Sequence, residues 1–503
     1  MNKLRKRIFA FVIMVSVLGG CSEDTIDIVG FGVVTGKVVD SETFESIENA
    51  KITLSPTNNS VFTDVNGEFI ITDVPAGDYS AQAEKNNFLA KIEAAAVFVG
   101  DTINIVFDME ISTALNKSPT TPELITPNDG TMDLLNEVEL SWESTDPEED
   151  ELTYAIEIRN DFNSDVDRIT DIKDKSYTLH NLKYGAKYFW SIEVTDNINP
   201  EVISNVRSFT IKDDPENRYF YVKKEQGNNV IYSASLGDIN NEIFNTVQLT
   251  NSSLNSWRPR RSSETNLIAF LRTDNNEAHL YTMKTNGDDI TKVTSTIPVA
   301  GFNLNEMDFS WSPNGSKLLY SSFDKLYAIN KDGSGLQIIY ETIDGSLITE
   351  CDWSSDGSKI AIKTNNSNGY NGSILVIDLS GNVLHTVISE VQAALGGVNF
   401  SVSGNELLFT RDVSNYQAPD YRQLDTRVFI YNFTEMTFID VSDEEKESGT
   451  NDLDPRFSPN EANIIFVNTS NDGISQKNIT KTNLSGNLQR IILFQDAAMP
   501  DWE

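Results

Sequence analysis

Cysteine is nearly absent from this chain: of 503 residues only Cys21 and Cys351 carry a thiol. That excludes a disulfide framework. Cys351, alone between Glu350 and Asp352 in a strand-like segment, reads as a small core residue, because a lone cysteine is among the most buried residue types. Histidine is equally scarce. His180, His279 and His385 stand far apart, and no H-E-x-x-H spacing puts two metal ligands on one helix face, so a zinc hydrolase has no candidate site. Neither a G-x-S-x-G nucleophile elbow nor a glycine-rich phosphate loop occurs, because every glycine cluster falls at a hairpin turn. Basic residues are few, 39 Lys and Arg against 75 Asp and Glu, for a net charge of −36. Such a surface repels polyanions and excludes nucleic acid as a partner.

Long apolar runs are also missing, with one short exception. Ile8 to Leu18 follows Lys3, Arg5, Lys6 and Arg7 and precedes Gly19, Gly20 and Cys21. A membrane-spanning helix needs about 20 apolar residues, so residues 1–20 read as a signal peptide. The stretch Leu18-Gly19-Gly20-Cys21 resembles the lipobox of bacterial lipoproteins. The resemblance implies acylation of Cys21, which would become the new N-terminus and hold the chain to a membrane, since each buried methylene contributes about 0.8 kcal/mol. Residues 21–31 then form a tether in which Cys21 is followed by the tract Ser22-Glu23-Asp24, acidic through its last two residues and similar to export signals that send some lipoproteins to the outer leaflet. The expected location is the outer membrane, at the cell surface or facing the periplasm.

What the chain has in abundance is period-two alternation, the mark of half-buried strands. The expected fold class is all-β, two small β-sandwiches followed by a six-bladed β-propeller. Residues 32–112 carry strand-like runs separated by the turns Asp64-Val65-Asn66-Gly67 and Pro75-Ala76-Gly77-Asp78, and are expected to form an antiparallel sandwich. Together with Gly36-Lys37-Val38-Val39-Asp40 and Val74-Pro75 these turns resemble the carboxypeptidase regulatory-like domain, which implies a transthyretin-like spacer or binding unit without catalytic residues. After a linker with two prolines, residues 119–212 place Leu140, Trp142, Leu182, Gly185, Tyr188 and Trp190 in a pattern similar to fibronectin type III and other immunoglobulin-like sandwiches. The aromatics read as core, and the Tyr188 hydroxyl is expected to bond back to the backbone. The acidic loop Asp146-Pro147-Glu148-Glu149-Asp150 offers Asp146, Glu148 and Asp150 as calcium candidates against the alternative of a solvated loop. No other cofactor is expected.

Residues 215–503 repeat themselves. Phe309-Ser310-Trp311-Ser312-Pro313-Asn314-Gly315-Ser316-Lys317 recurs as Asp352-Trp353-Ser354-Ser355-Asp356-Gly357-Ser358-Lys359, with weaker copies ending in Phe400 and Phe457 before their turns. The aromatics Trp257, Trp311, Trp353, Phe400, Phe457 and Trp502 recur at 42 to 57 residues, enough for about four strands per unit, a propeller blade. The repeat resembles the TolB-type, WD-like β-propeller. Its final segment begins a unit that residues 218–250 complete, so the ring is expected to close through the last strand. The repeated aromatics are expected between blades, and Arg258, Arg260 and Arg261 are expected to pair internally with carboxylates.

Function is sought where loops lengthen on a rigid scaffold. Two insertions, 365–373 and 411–427, place Tyr370, Tyr416, Tyr421 and Arg422 on one propeller face, residue types that recur in interface hot spots. The expected function is a membrane-anchored envelope protein binding a protein, peptide or glycan there, and not an enzyme. The alternatives are a glycan- or peptide-processing lyase or hydrolase working in the channel, and a purely structural envelope component.

Overall fold

The computed structural model describes residues 30–113, 116–163, 165–237, 243–442, 446–484 and 489–503. Cys21, the signal segment and most of the tether lie outside these residues. Among those described there is no α-helix, and every regular element is a strand.

In the first sandwich, Phe31–Asp40 alternates between exposed or half-buried and buried positions along its length, as its sequence period requires. It sits between Glu68–Pro75 and Thr102–Met109, while Asn59–Phe62, Lys51–Ser55, Gly77–Glu84 and Lys91–Val97 make the second sheet. The sandwich is not wholly antiparallel, as the sequence had suggested. Phe31–Asp40 and Thr102–Met109 run parallel, because the chain crosses from one sheet to the other between Val97 and Thr102 and arrives beside the first strand in the same direction. The turn at Asp64 closes on itself: its carboxylate accepts the N–H groups of Asn66 and Glu68, and Gly67 takes φ +73°.

The second sandwich pairs a three-stranded sheet (Ser176–Leu179, Val138–Glu143, Glu123–Thr126) with a larger one built on Thr153–Asn160 and Lys187–Thr195. Trp142, Trp190, Leu140 and Phe209 fill its core. The Tyr188 hydroxyl accepts the Lys183 N–H at 2.9 Å, fixing the corner before its strand. This sandwich leans on the propeller: Tyr184 donates to Asn245, Lys183 pairs with Asp288 at 3.0 Å, and Val247 packs on the sandwich core.

Six four-stranded antiparallel sheets make the propeller. Counting from blade one, the innermost strands are Ser256–Ser262, Ser310–Trp311, Leu347–Trp353, Leu395–Phe400, Thr450–Phe457 and Ala498–Trp502. The last of these closes the ring by pairing with Tyr219–Glu225, Trp502 opposite Tyr219, and the Glu503 N–H reaches the Arg218 carbonyl. The repeated Ser-x-Asn/Asp-Gly turn caps its own hairpin. In blade three, Asp356 accepts from the Ser354 hydroxyl at 2.6 Å and the Ser358 N–H at 2.9 Å, and Gly357 takes φ +72°. Those donors hold the Asp356 pKa down to about 2.

The repeated aromatics do stand between blades, as when Trp311 donates its indole N–H to the Arg260 carbonyl of the neighbouring blade at 2.9 Å. Blade one departs from the expected register. The residue before its turn pairs with the residue seven positions on, as in the other blades, and that residue is Arg261 opposite Ile268, not Trp257. The bulge between Trp257 and Arg260, with Arg258 at φ +58°, is shared with the inner strands of blades three, four and five, which shift register between Ile348 and Glu350, Gly396 and Asn399, and Leu453 and Arg456; Trp257 therefore occupies the place that Leu453 holds in blade five.

Candidate functional site

A propeller's inner strands present alternate side chains to the central channel, and here every blade but the fourth places charge there. Asp308 of blade two lies at the hub. It accepts from Arg260 of blade one at 2.5 Å and from Arg456 of blade five, with Arg258 at 3.9 Å. Arg258 also reaches Asp454 of blade five at 2.6 Å and the Asn305 carbonyl at 2.6 Å. Arg260 adds the carbonyls of Pro259 and Pro500. All three arginines and Asp308 are buried. Burial opposes the charge on Asp308, but Arg260, Arg456 and Arg258 together outweigh it and bring its pKa down to about 2. Arg261 reaches Asp214 at 3.8 Å, so Arg258, Arg260 and Arg261 all pair internally, as their sequence context implied.

The hub divides the channel. On the face bearing the loops between second and third strands lies a chamber of about 670 Å³, walled by Arg258, Glu306, Glu350, Gly396, Gly397 and Asp454, and rimmed by Gln423 and residues 473–477. On the other face a smaller recess of about 270 Å³ is lined by Asp352, Asp501, Arg260 and Arg456. Gly396 and Gly397 keep the larger chamber open: a Cβ on Gly396 would stand 2.8 Å from Glu350 Oε1, and one on Gly397 would run into Pro455.

Behind the chamber wall, Lys363 is wholly buried and its ammonium has no hydrogen-bond partner. It sits 5.3 Å from the centre of the Phe302 ring. Burial lowers its pKa against the pull of Glu350 and Glu306. Glu350 accepts the Val398 N–H at 3.1 Å, and burial lifts its pKa to about 7 even with Lys363 near. Glu306 is raised by the same cause, with the Asp454 charge adding to it.

The four residues expected on the binding face separate into two pairs. Tyr370 is buried, its hydroxyl donating to the Ala418 carbonyl at 3.0 Å, and its ring lies 5.3 Å from Tyr421. Tyr421 in turn meets Phe302 edge-on at 4.9 Å, so close to Gly369 that a Cβ there would fall 2.4 Å from its ring. These two tyrosines fasten the insertions to each other and to the link between blades one and two. They are not free for a partner, because the insertions fold into a wall instead of projecting. Tyr416 is exposed, and exposed Arg422 runs beside Gly473 at the chamber rim.

Of the calcium candidates, Asp146 and Asp150 converge, but Glu148 turns away to Lys117 at 3.3 Å. The third carboxylate is Asp196, from the loop after Lys187–Thr195. The sequence reading missed it, along with Glu306, Glu350, Lys363 and Asp454.

Residues 33–110 match the family model of the carboxypeptidase regulatory-like domain. No curated protein matches the sequence. Among solved structures, the chain is similar to TolB from Acinetobacter baumannii at 14% identity and TM-score 0.45, over 63% of this chain and 79% of that one. It is also similar to a putative TolB from Agrobacterium tumefaciens (15%, 0.42, 56% and 90%) and to oligogalacturonate lyase from Vibrio parahaemolyticus (12%, 0.36, 53% and 72%).

Proposed function

We propose that this protein is a cell-envelope lipoprotein, anchored through Cys21 at the outer membrane and displayed at the surface, that binds a protein, peptide or glycan at the loop-bearing face of its propeller. The observation that carries the reading is the chamber of about 670 Å³ at the channel mouth, walled by buried charge and open to the face where the insertions stand. Concave sites with a few convergent polar groups are where ligands are held. The buried hub, where Asp308 is held by Arg260 and Arg456, closes the channel behind it, so the chamber admits a short projecting group and stops it there. The acidic wall favours a ligand that brings hydrogen-bond donors.

The test uses tagged full-length protein on glycan and peptide arrays, comparing wild type with Ser475→Trp, which fills the rim, and Ser263→Trp, at the opposite mouth. The proposal expects Ser475→Trp to lose binding at least tenfold while Ser263→Trp keeps it. Unchanged binding by Ser475→Trp sinks the site. Protease shaving of intact cells, with Cys21→Ala for comparison, tests the anchor and the surface: protection until lysis places the protein on the periplasmic side.

One observation favours an enzymatic second reading. Glu350 and Lys363, with pKa values moved toward neutrality from opposite sides, are the arrangement that acid–base chemistry uses. Turnover of any array glycan or peptide by wild type but not by Glu350→Gln would establish it.

A further inference from the structure

The carboxylates of Asp146, Asp150 and Asp196 each offer an oxygen, and these oxygens lie within 4.8 Å of one another. Two loops at one end of the second sandwich bring them there: the connection after Val138–Glu143 and the one after Lys187–Thr195. Asp146 uses Oδ1 to accept the N–H groups of Glu148 at 2.8 Å and Asp150 at 3.1 Å. That turn leaves its Oδ2 facing the other carboxylates. Asp146 Oδ2 and Asp150 Oδ2 are both sealed from solvent, and neither has a hydrogen-bond donor. Asp196, itself only 5% exposed, completes the group; unlike the other two it has donors on both oxygens, the Ile198 and Asn199 N–H groups on Oδ1 and the Asn199 and Asn116 side-chain amides on Oδ2.

A carboxylate oxygen removed from water without a donor is costly, and like charges at this spacing add to the cost. The nearby ammonium of Lys117 is engaged by Glu148. A cation at the meeting point of the three oxygens answers both costs at once. The donors are all hard oxygens, with no nitrogen or sulfur, which disfavours zinc and suits calcium; magnesium, which holds to an octahedron of waters, is less suited to a cage of protein carboxylates.

The same loops hold the chain that arrives from the first sandwich. Asn116 donates its side-chain amide to Asp196 Oδ2 at 3.0 Å, the Lys117 N–H meets Glu148, and Thr120 exchanges bonds with Thr145. We propose that Asp146, Asp150 and Asp196 form a calcium site that stiffens the joint between the two sandwiches. Binding the ion would order the loop at 144–152 and, through Asp196, the linker residue Asn116.

Isothermal titration of the purified full-length protein with calcium chloride tests the site, with Asp146→Asn/Asp150→Asn and the control Glu148→Gln alongside. The proposal expects one calcium per chain, in the range of about 0.1 to 1 mM seen for extracellular modules. The double variant should bind at least tenfold more weakly, Glu148→Gln should bind as wild type, and magnesium should compete poorly. Circular dichroism without calcium confirms that the double variant is folded; if it is not, Asp196→Asn replaces it. Absence of a saturable site up to about 10 mM calcium, or equal binding by the variants, overturns the site. Proteolysis between residues 112 and 119 tests the joint: calcium should slow it in wild type and not in the double variant, and an unchanged rate with bound calcium overturns the stiffening.

Discussion

Asp308→Asn is the perturbation that tests the channel hub most directly. The substitution keeps the shape and removes one negative charge, leaving Arg260 and Arg456 without the carboxylate they share and Arg258 without its second neighbour. Breaking a buried ion pair by removing one partner costs about 3 to 5 kcal/mol, because the remaining charge stays buried. Asp501 at 3.8 Å from Arg260 and Asp454 at 2.6 Å from Arg258 soften the loss without cancelling it. The expected loss is thus about 3 to 4 kcal/mol, or roughly 6 to 15 °C in the propeller transition for a unit of this size. Differential scanning calorimetry of the full chain follows that transition, with urea unfolding as a second measure. A loss below about 1 kcal/mol would refute the assignment of Asp308 as the hub, since solvated surface pairs are worth that little. A triple replacement, Asp308→Leu with Arg260→Met and Arg456→Met, should recover much of the stability, because apolar groups of similar volume replace buried ions at little net cost.

The acid limb of stability carries a second prediction. The Asp308 pKa is depressed in the folded state, so its contribution is fully present above the ordinary carboxylate value and is lost as pH falls toward about 2; Asp308→Asn should flatten that limb in calorimetric scans. Glu350 is the opposite case. Its folded pKa of about 7 lies above its unfolded value near 4.5, so the native state binds the extra proton and stability falls as pH rises between those values; Glu350→Gln should remove that slope. Trp502→Ala removes the ring that packs 5.0 Å from Tyr219 at the closing strand, and should destabilise the propeller by about 3 kcal/mol in urea titrations. Tyr370→Phe should cost about 1 kcal/mol of stability through the lost bond to Ala418, with ligand affinity on the arrays unchanged, whereas Tyr416→Ala should leave the melting temperature alone and lower that affinity.

The repeat was readable because blades two and three announce themselves twice, by an aromatic before the turn and by a Ser-x-Asn/Asp-Gly turn that the backbone needs for its own caps, and blades four and five carry weaker copies. Closure through Ala498–Trp502 followed from counting strands, since an incomplete last unit and an incomplete first one sum to a blade. Blade one misled because Trp257, four residues before the turn position that Arg261 holds, mimics the marker in composition, and only the strand pairing tells the two places apart. The chamber was harder. Glu350, Asp454 and Glu306 come from different blades, and their signal was only that an otherwise apolar inner strand such as Leu347–Trp353 carries charge at alternate positions. Asp196 had no local signal at all, because only the sandwich fold brings it to Asp146 and Asp150. For Tyr370 and Tyr421, sequence located the insertions but not which way the rings face.

The hub also bears on how long the ring lasts once formed. A propeller whose blades touched only their neighbours would approximate a circular one-dimensional array, free to lose one blade at a time. The bonds from Arg456 to Asp308 and from Arg258 to Asp454 act instead as spokes, joining residues 148 and 196 positions apart across the ring. Contacts of such separation form late, after the blades themselves have closed, because loop entropy delays them. Interactions absent from the folding transition state do little for the rate of folding and act mainly by slowing unfolding. The spokes therefore leave the rate of assembly nearly unchanged and make the ring slower to open, resisting the brief excursions in which a blade would offer its edge to a protease.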